Sequence, residues 1–326
     1  MPFRLFGNKR VANIIFKDHA IRFVEIRSSS PLNIRLEGER ELPPGIIHEG
    51  NIIDKESLIM VLEECVDEWK IKGLDVQFIV PDYFIVVRTV EVPYDLRDDE
   101  IKGYLYLELG TTIHLPFEDP IFDIFVLGTT ENKKNVLLFA APEQIILDYV
   151  EVLEKAKLKP IVADSSALSL YRLYTNLDLA RPKDHLMMIQ FDMTMVNVSL
   201  FHEDILLFNH NLVLDLNVLL WRKNYKGEYE WKGEQEDLVG QLEDTYNEID
   251  RIMNFYRFSL HHGNQEVNRI LLTGDFPYFD EVKNRLVELY EIPVDTIRSS
   301  VLIDSNGQEL DRKYHLPLGL ALKEVK

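Results

Sequence analysis

Hydrophobic and polar residues alternate over three runs near the start of the chain, Val11–Phe16, Ile21–Arg27 and Asn33–Leu42. That period of two predicts three strands with short connections. Pro43-Pro44-Gly45 closes the third run. The period then changes to that of a helix: Leu58, Val61, Leu62, Cys65 and Trp69 share one face, Asp54 stands before them as a candidate N-cap, and Gly73 ends the stripe. Val76–Val80 and Phe84–Val92 read as strands again, separated by Pro81-Asp82.

The same order returns in the second half. Leu186–Phe191, Met195–Phe201 and Ile205–Leu214 predict three strands. A long helix follows, with Leu238, Leu242, Ile249, Ile252, Tyr256 and Leu260 on one face and Gly263-Asn264 at its end. Arg269–Thr273 predicts a strand, and Phe279–Tyr290 a helix striped by Val282, Leu286 and Leu289. Each half thus carries three strands, a helix and another strand, a duplicated topology without repeated sequence. Two such copies predict a two-lobed α/β protein, an architecture (ribonuclease-H-like, duplicated) used by the actin-like and sugar-kinase-like ATPases, in which the first hairpin of each lobe holds phosphate.

The predicted division assigns residues 1–92 and 161–184 to lobe one, with 314–326 as its closing helix, and residues 185–313 to lobe two. Residues 93–160 form a small α+β subdomain inserted in lobe one. Its elements are a helix over Ile101–Leu109, strands Ile121–Leu127 and Asn135–Ala141, and a helix striped by Ile145, Tyr149, Val152 and Ala156. Function is often added on insertions of this size. The polar stretch Asn224–Glu236 predicts a loop whose Tyr225, Tyr229 and Trp231 pack back onto the long helix, with an interface as the alternative.

Composition narrows the function. The 326 residues are 46% hydrophobic, enough for two packed cores. The net charge of −19 repels phosphate backbones, and no basic run exceeds a pair such as Lys9-Arg10 or Lys133-Lys134. The chain is therefore expected to bind proteins and not nucleic acid. Its single cysteine, Cys65, excludes an internal disulfide and a cysteine-cluster metal site, and is expected in the core. No apolar run is long enough to span a bilayer. Met1-Pro2-Phe3-Arg4-Leu5-Phe6 reads as a frayed terminus, with peripheral contact to an anionic membrane as the alternative.

Single motifs add little chemistry. His261-His262 sits at a helix end, where the dipole favours a cation. His202 and His210 lack ligand spacing, so no metal site is expected. Asp164-Ser165-Ser166 reads as a helix N-cap and not as a catalytic serine. Glu234–Asp237 reads as a solvated helix start. No catalytic triad with an elbow motif and no P-loop is present.

The order of several segments carries a resemblance. Val90-Glu91-Val92-Pro93, His114-Leu115-Pro116-Phe117-Glu118, Leu137-Leu138-Phe139-Ala140-Ala141-Pro142 and Asp164-Ser165-Ser166-Ala167-Leu168 follow one another in the first half. Asn254-Phe255-Tyr256-Arg257, Ile270-Leu271-Leu272-Thr273-Gly274 and Leu318-Gly319-Leu320-Ala321-Leu322 follow in the second. The chain resembles the PilM family of type IV pilus assembly proteins, which are FtsA-like in fold and share the inserted subdomain.

The resemblance implies where nucleotide would bind. In lobe one, Ile15 stands where a metal-orienting acid is expected, Lys17 where a glycine is expected, and Asp18 adds a charge that repels a triphosphate. In lobe two, Gln190 replaces the acid and Asp192 the glycine. The adenosine loop reads Thr273-Gly274-Asp275, so one glycine survives. Phosphate cradles need close backbone approach, which side chains block. These vestigial positions predict a pseudo-ATPase with no cofactor; the alternative is an actin-like protein that binds or hydrolyses Mg-ATP.

The resemblance also implies a cytoplasmic adaptor at the inner face of the cell membrane. It would bind the tail of a PilN-like bitopic protein in a groove bordered by the insertion, with Ile113, Leu115, Pro116 and Phe117 as candidate contacts. The pilus motor ATPase or platform protein are further implied partners. A small-molecule kinase of the same superfamily is a third reading, and the insertion matches that class poorly.

Overall fold

The computed structural model describes residues 10–129, 132–298 and 301–324. Met1–Phe6, the candidate membrane contact, lies outside the described residues. The chain opens with β1 (Val11–Lys17), β2 (Ala20–Ser29) and β3 (Leu32–Glu41), an antiparallel meander. Ala12–Phe16 are all buried, so β1 is covered on both faces, as a central strand needs. The short pair β4 (Ile47–His48) and β5 (Asn51–Ile52) follows. Then come α1 (Lys55–Glu68) and β6 (Asp75–Ile79), the latter parallel to β1.

Asp54 caps α1 by accepting from the Ser57 amide at 3.0 Å. Leu58, Leu62, Cys65 and Val66 form its buried stripe. Burial pushes the Cys65 thiol up to about 12, so it stays protonated and unreactive at neutral pH. Trp69 stacks on Phe23 at 5.2 Å, and a Cβ on Gly38 would lie 2.4 Å from its ring nitrogen. β3 carries glycine there because the indole fills the space.

β7 (Val86–Pro93), α2 (Asp98–Glu108), β8 (Pro120–Thr129) and β9 (Lys133–Pro142) make the inserted α+β substructure, a three-stranded sheet in the order β7-β9-β8. Ile101 and Leu105 of α2 pack on Val92, Phe122, Val136 and Leu138. α3 (Glu143–Lys155), β10 (Lys159–Asp164) and α4 (Ser166–Asn176) follow. Ser165 caps α4, as its position before the apolar run predicts.

The second half repeats the first. β11 (Leu186–Phe191), β12 (Met195–His202) and β13 (Ile205–Val213) form an antiparallel meander. β14 (Trp221–Lys223) and β15 (Tyr229–Trp231) pair as a hairpin where the sequence predicts a loop. Asn224 and a left-handed Gly227 make its turn. α5 (Gln235–Asn254) runs into a π-helix over Phe255–Leu260. β16 (Arg269–Thr273), α6 (Phe279–Leu289), β17 (Val294–Asp295) and α7 (His315–Ala321) complete the chain.

The two large sheets have the same order, β10-β6-β1-β2-β3 and β13-β12-β11-β16-β17. Their fifth strands, β10 and β17, escape a reading of periodicity. β10 carries Pro160 and is followed at once by a helix cap, and β17 is two residues long.

The chain divides into two compact units. One combines residues up to Pro81, Asp148–Leu179 and those from Ile297 onward; the other combines Asp82–Leu147 and Ala180–Thr296. The insertion's sheet therefore falls in the unit that holds β11–β17, and α3 contributes to both.

In the first unit α7 is buried almost whole, from His315 to Leu320. Arg172 on α4 donates to the Gly319 carbonyl at 2.7 Å and also to Asp164, which lies 3.1 Å from Lys323 Nζ. A buried carboxylate needs such partners, and two cations supply them. A Cβ on Gly319 would sit 2.1 Å from the Ser169 carbonyl, so α4 and α7 meet backbone to backbone. Gly319→Ala should therefore destabilise the protein by about 2–3 kcal/mol, read from urea unfolding.

Burial lowers the pKa of His315 from 6.5 to about 3. The folded state then binds fewer protons than the unfolded state below pH 6.5. Stability should fall as pH drops through 6.5 and keep falling towards pH 3, by at most about 1.4 kcal/mol per unit from this group. His315→Gln should flatten that slope in pH-dependent urea titrations.

Candidate functional site

The turns expected to hold phosphate can be read residue by residue. In the first unit, Ile15 is buried within β1 opposite Arg22, and Lys17 ends the strand. Asp18 occupies the two-residue turn to β2. Its carboxylate accepts from the Glu49 amide at 2.7 Å and the Gly50 amide at 3.1 Å, which ties this turn to the one between β4 and β5. The side chain that would repel an anion is thus a structural acceptor.

In the second unit, Gln190 on β11 lies beside Thr273 of β16 and donates to Asp192. Asp192 is 6% exposed. Its Oδ1 accepts from the Asp275 amide at 3.1 Å, and Asp275 Oδ1 accepts from the Met193 amide at 3.1 Å. Two turns, one after β11 and one after β16, are therefore closed on each other by reciprocal carboxylate–amide bonds. Gly274 makes this possible: its φ is +123°, and a Cβ would lie 2.1 Å from the Phe191 carbonyl. That carbonyl accepts from the Phe276 amide at 3.1 Å.

Backbone amides at such turns are what an anion would bind. Here the Met193 and Asp275 amides already donate to fixed negative charges. Among the described residues no group of three His, Cys, Asp or Glu side chains is arranged to hold a metal ion.

Of the pair His261-His262, His261 sits among other rings. His261 stacks near Tyr256 at 4.5 Å, with His185 5.6 Å away, and His185 stacks on His202 at 4.0 Å. Burial, then the His202 and His262 charges, lower the pKa of His261. His261 follows the π-helical turn directly and meets an aromatic cluster, and desolvation there is the largest cause of its lowered pKa.

The other candidate residues converge on a groove in the insertion. Between α2 and β8 the segment from Gly110 to Asp119 crosses the edge of the small sheet. It is pinned by Arg88 Nη1 donating to the His114 carbonyl at 2.6 Å and by the Glu143 amide donating to the Asp119 carbonyl at 3.0 Å. Ile113, Leu115 and Phe117 alternate along it, each half-buried against the insertion's core and each lining a groove of about 870 Å³. Pro116 is exposed and is not among the lining residues.

Tyr106 and Ile121, 68% and 40% exposed, add apolar wall that the sequence reading missed. Each belongs to an element whose other face is core, and only the three-dimensional pairing shows which face stays open. Glu118, Asp119 and Glu143 line the groove with Lys102, giving an excess of negative charge. The arrangement fits an extended segment with apolar side chains and a net positive charge.

The family model described as type IV pilus assembly protein PilM matches residues 14–215. Among solved structures, the PilM–PilN type IV pilus biogenesis complex is similar at 18% identity. The match covers 96% of this chain and 97% of that one, with a TM-score of 0.77. The cytoplasmic domain of EpsL, an inner-membrane component of the Vibrio cholerae type II secretion system, is similar at 10% identity, 98% and 97% coverage and a TM-score of 0.52. The ethanolamine utilization protein EutJ of Carboxydothermus hydrogenoformans is similar at 9% identity, 96% and 89% coverage and a TM-score of 0.51. The fold is that of the actin-like ATPases, with the ribonuclease-H-like sheet duplicated.

Removing the Asp192 carboxylate leaves the Asp275 amide and the Gln190 side chain without their acceptor. Asp192→Ala should lower stability by about 1–3 kcal/mol, measured by urea unfolding.

Proposed function

The chain belongs to the PilM family of type IV pilus assembly proteins, and we propose that it serves there as a non-catalytic adaptor. The observation that carries this reading is the reciprocal bonding of Asp192 and Asp275 to the amides of each other's turns. A nucleotide would have to displace two internal carboxylates and then sit beside them, against their charge. Gln190 in place of an acid leaves little there to orient a metal. The protein is proposed to work as a pseudo-ATPase, an actin-like fold reused as a docking body.

The docking surface is proposed to be the groove lined by Ile113, Leu115 and Phe117. Its occupant is the cytoplasmic tail of a PilN-like inner-membrane protein. Cytoplasmic segments next to a membrane span are enriched in Lys and Arg, which suits the acidic lining at Glu118, Asp119 and Glu143. No helix among the described residues is long and apolar enough to cross a membrane. Attachment to the inner face of the membrane would therefore come through the partner.

Calorimetry tests both halves of the proposal. The partner's tail peptide should bind, and Mg-ATP at concentrations up to about 1 mM should give no heat of binding. Leu115→Glu should weaken tail binding at least about tenfold while shifting the melting temperature only slightly, because Leu115 is only half-buried. Micromolar binding of Mg-ATP would refute the pseudo-ATPase reading, and global unfolding of the Leu115→Glu variant would make Leu115 a core residue instead of a contact.

A further inference from the structure

Outside the groove, the second unit carries a rigid prong whose chemistry differs from that of the rest of the chain. It is the hairpin of β14 and β15. Its strands are three residues each, too short to hold shape by their own ladder. Two tryptophans hold it instead. Trp221 and Trp231 face each other across the ladder, are both buried, and pack edge to face at 5.2 Å. Trp221 meets Phe276 at 5.7 Å. Trp231 donates its backbone amide to Tyr278 Oη and its ring N–H to the Glu234 carbonyl, both at 2.9 Å.

The turn is ordered as firmly as the base. Asn224 Oδ1 accepts from the amides of Lys226 at 2.8 Å and Glu228 at 3.1 Å. Its Nδ2 donates to the carboxylates of Glu228 and Glu230. The result is a preorganised tip, which lowers the entropic penalty of binding.

At that tip Tyr225 is 93% exposed, and Lys226 stands over its ring at 5.7 Å. Lys223 stands over Tyr229 at 5.0 Å. Three cations, Arg222, Lys223 and Lys226, face two carboxylates over the hairpin, with Lys232 just beyond it, in a chain whose net charge is −19. Both carboxylates are engaged, Glu230 with Lys232 at 2.6 Å and with Asn224, Glu228 with Asn224. An exposed tyrosine flanked by lysines on a rigid support has the composition of an interface anchor.

We propose that the Tyr225 tip is a second docking point, which takes an acidic protein segment carrying apolar side chains. The tyrosine ring covers the apolar groups, and Lys223 and Lys226 meet the carboxylates. A narrow segment reaches the tip alone. A flat anionic bilayer would also bring its charge towards Glu234, Glu236 and Asp237 just beyond the base of the hairpin, and towards an otherwise strongly acidic chain. Charge complementarity therefore favours a peptide over a membrane. The proposal is independent of the groove and of whether nucleotide binds.

The test uses the full chain and a fluorescein-labelled peptide of Glu-Glu-Leu repeats, about 15 residues long, read by anisotropy. Vesicles of phosphatidylcholine with about 30% phosphatidylglycerol form a parallel titration. The peptide should bind at about 50 mM salt and weaken several-fold at about 200 mM. Lys223→Glu combined with Lys226→Glu should weaken it at least about tenfold, and Tyr225→Ala about three- to tenfold, with near-ultraviolet circular dichroism of the tryptophans unchanged. No binding by the wild type, equal binding by the variants, or binding to vesicles but not to peptide would each overturn the proposal. Loss of tail binding in the groove would leave these results unchanged, and the reverse also holds.

Discussion

A buried backbone N–H must find an acceptor. Around the second unit's paired turns, the acceptors for Met193 and Asp275 are carboxylates from the opposite turn. Everything nearby depends on that exchange. Gly274 must lack a side chain so that the β16 turn can approach Phe191, and Gln190 turns its amide to the outer oxygen of Asp192. Carboxylate oxygens are charged acceptors, so these bonds are stronger than the carbonyl bonds that close an ordinary turn. In the first unit Asp18 does the same for the amides of Glu49 and Gly50. Three aspartates thus close turns from within.

The sheets around these turns are packed tightly. β11 and β1 are buried over nearly their whole length, and α7 is packed against α4 without room for a methyl group. The groove of the insertion lies where the packing relaxes. Tyr106 on α2 and Ile121 on β8 remain exposed there, and Leu107 and Phe125 of the same two elements are exposed as well. Part of the molecule's exposed apolar surface therefore lies on the substructure that is not duplicated.

Much of this was legible in the sequence. Periodicity placed the three-strand meanders of both halves within a residue or two, because a central strand covered on both faces leaves an unmistakable apolar run, whereas the closing helix expected over residues 314–326 ends at Ala321. The N-caps at Asp54 and Ser165 were legible for the same local reason. The fifth strands were not, since two residues of β17 carry no period. Of the groove residues, Ile113, Leu115 and Phe117 could be picked from their place in an insertion, whereas Tyr106 and Ile121 could not. Their exposure depends on which face of α2 and β8 the core leaves open. The hairpin of β14 and β15 looked like a polar loop because its stability comes from tryptophans whose partners, Phe276 and Tyr278, lie far along the chain. The reciprocal bonds of Asp192 and Asp275 join residues more than eighty positions apart and have no local signal at all.

The first unit is stitched from three stretches of chain, and the third begins at Ile297. Its sheet faces α7, whose leucines arrive only with residues 316–320. The second unit needs nothing beyond Thr296. On a ribosome the second unit can therefore be complete while the first still exposes the apolar bed of α7, with Asp164 paired to Arg172 but still lacking Lys323. Synthesis order leaves the sides of α4, β1 and β2 that α7 covers open longest, and the arrival of residues 315–321 is the event that ends that exposure.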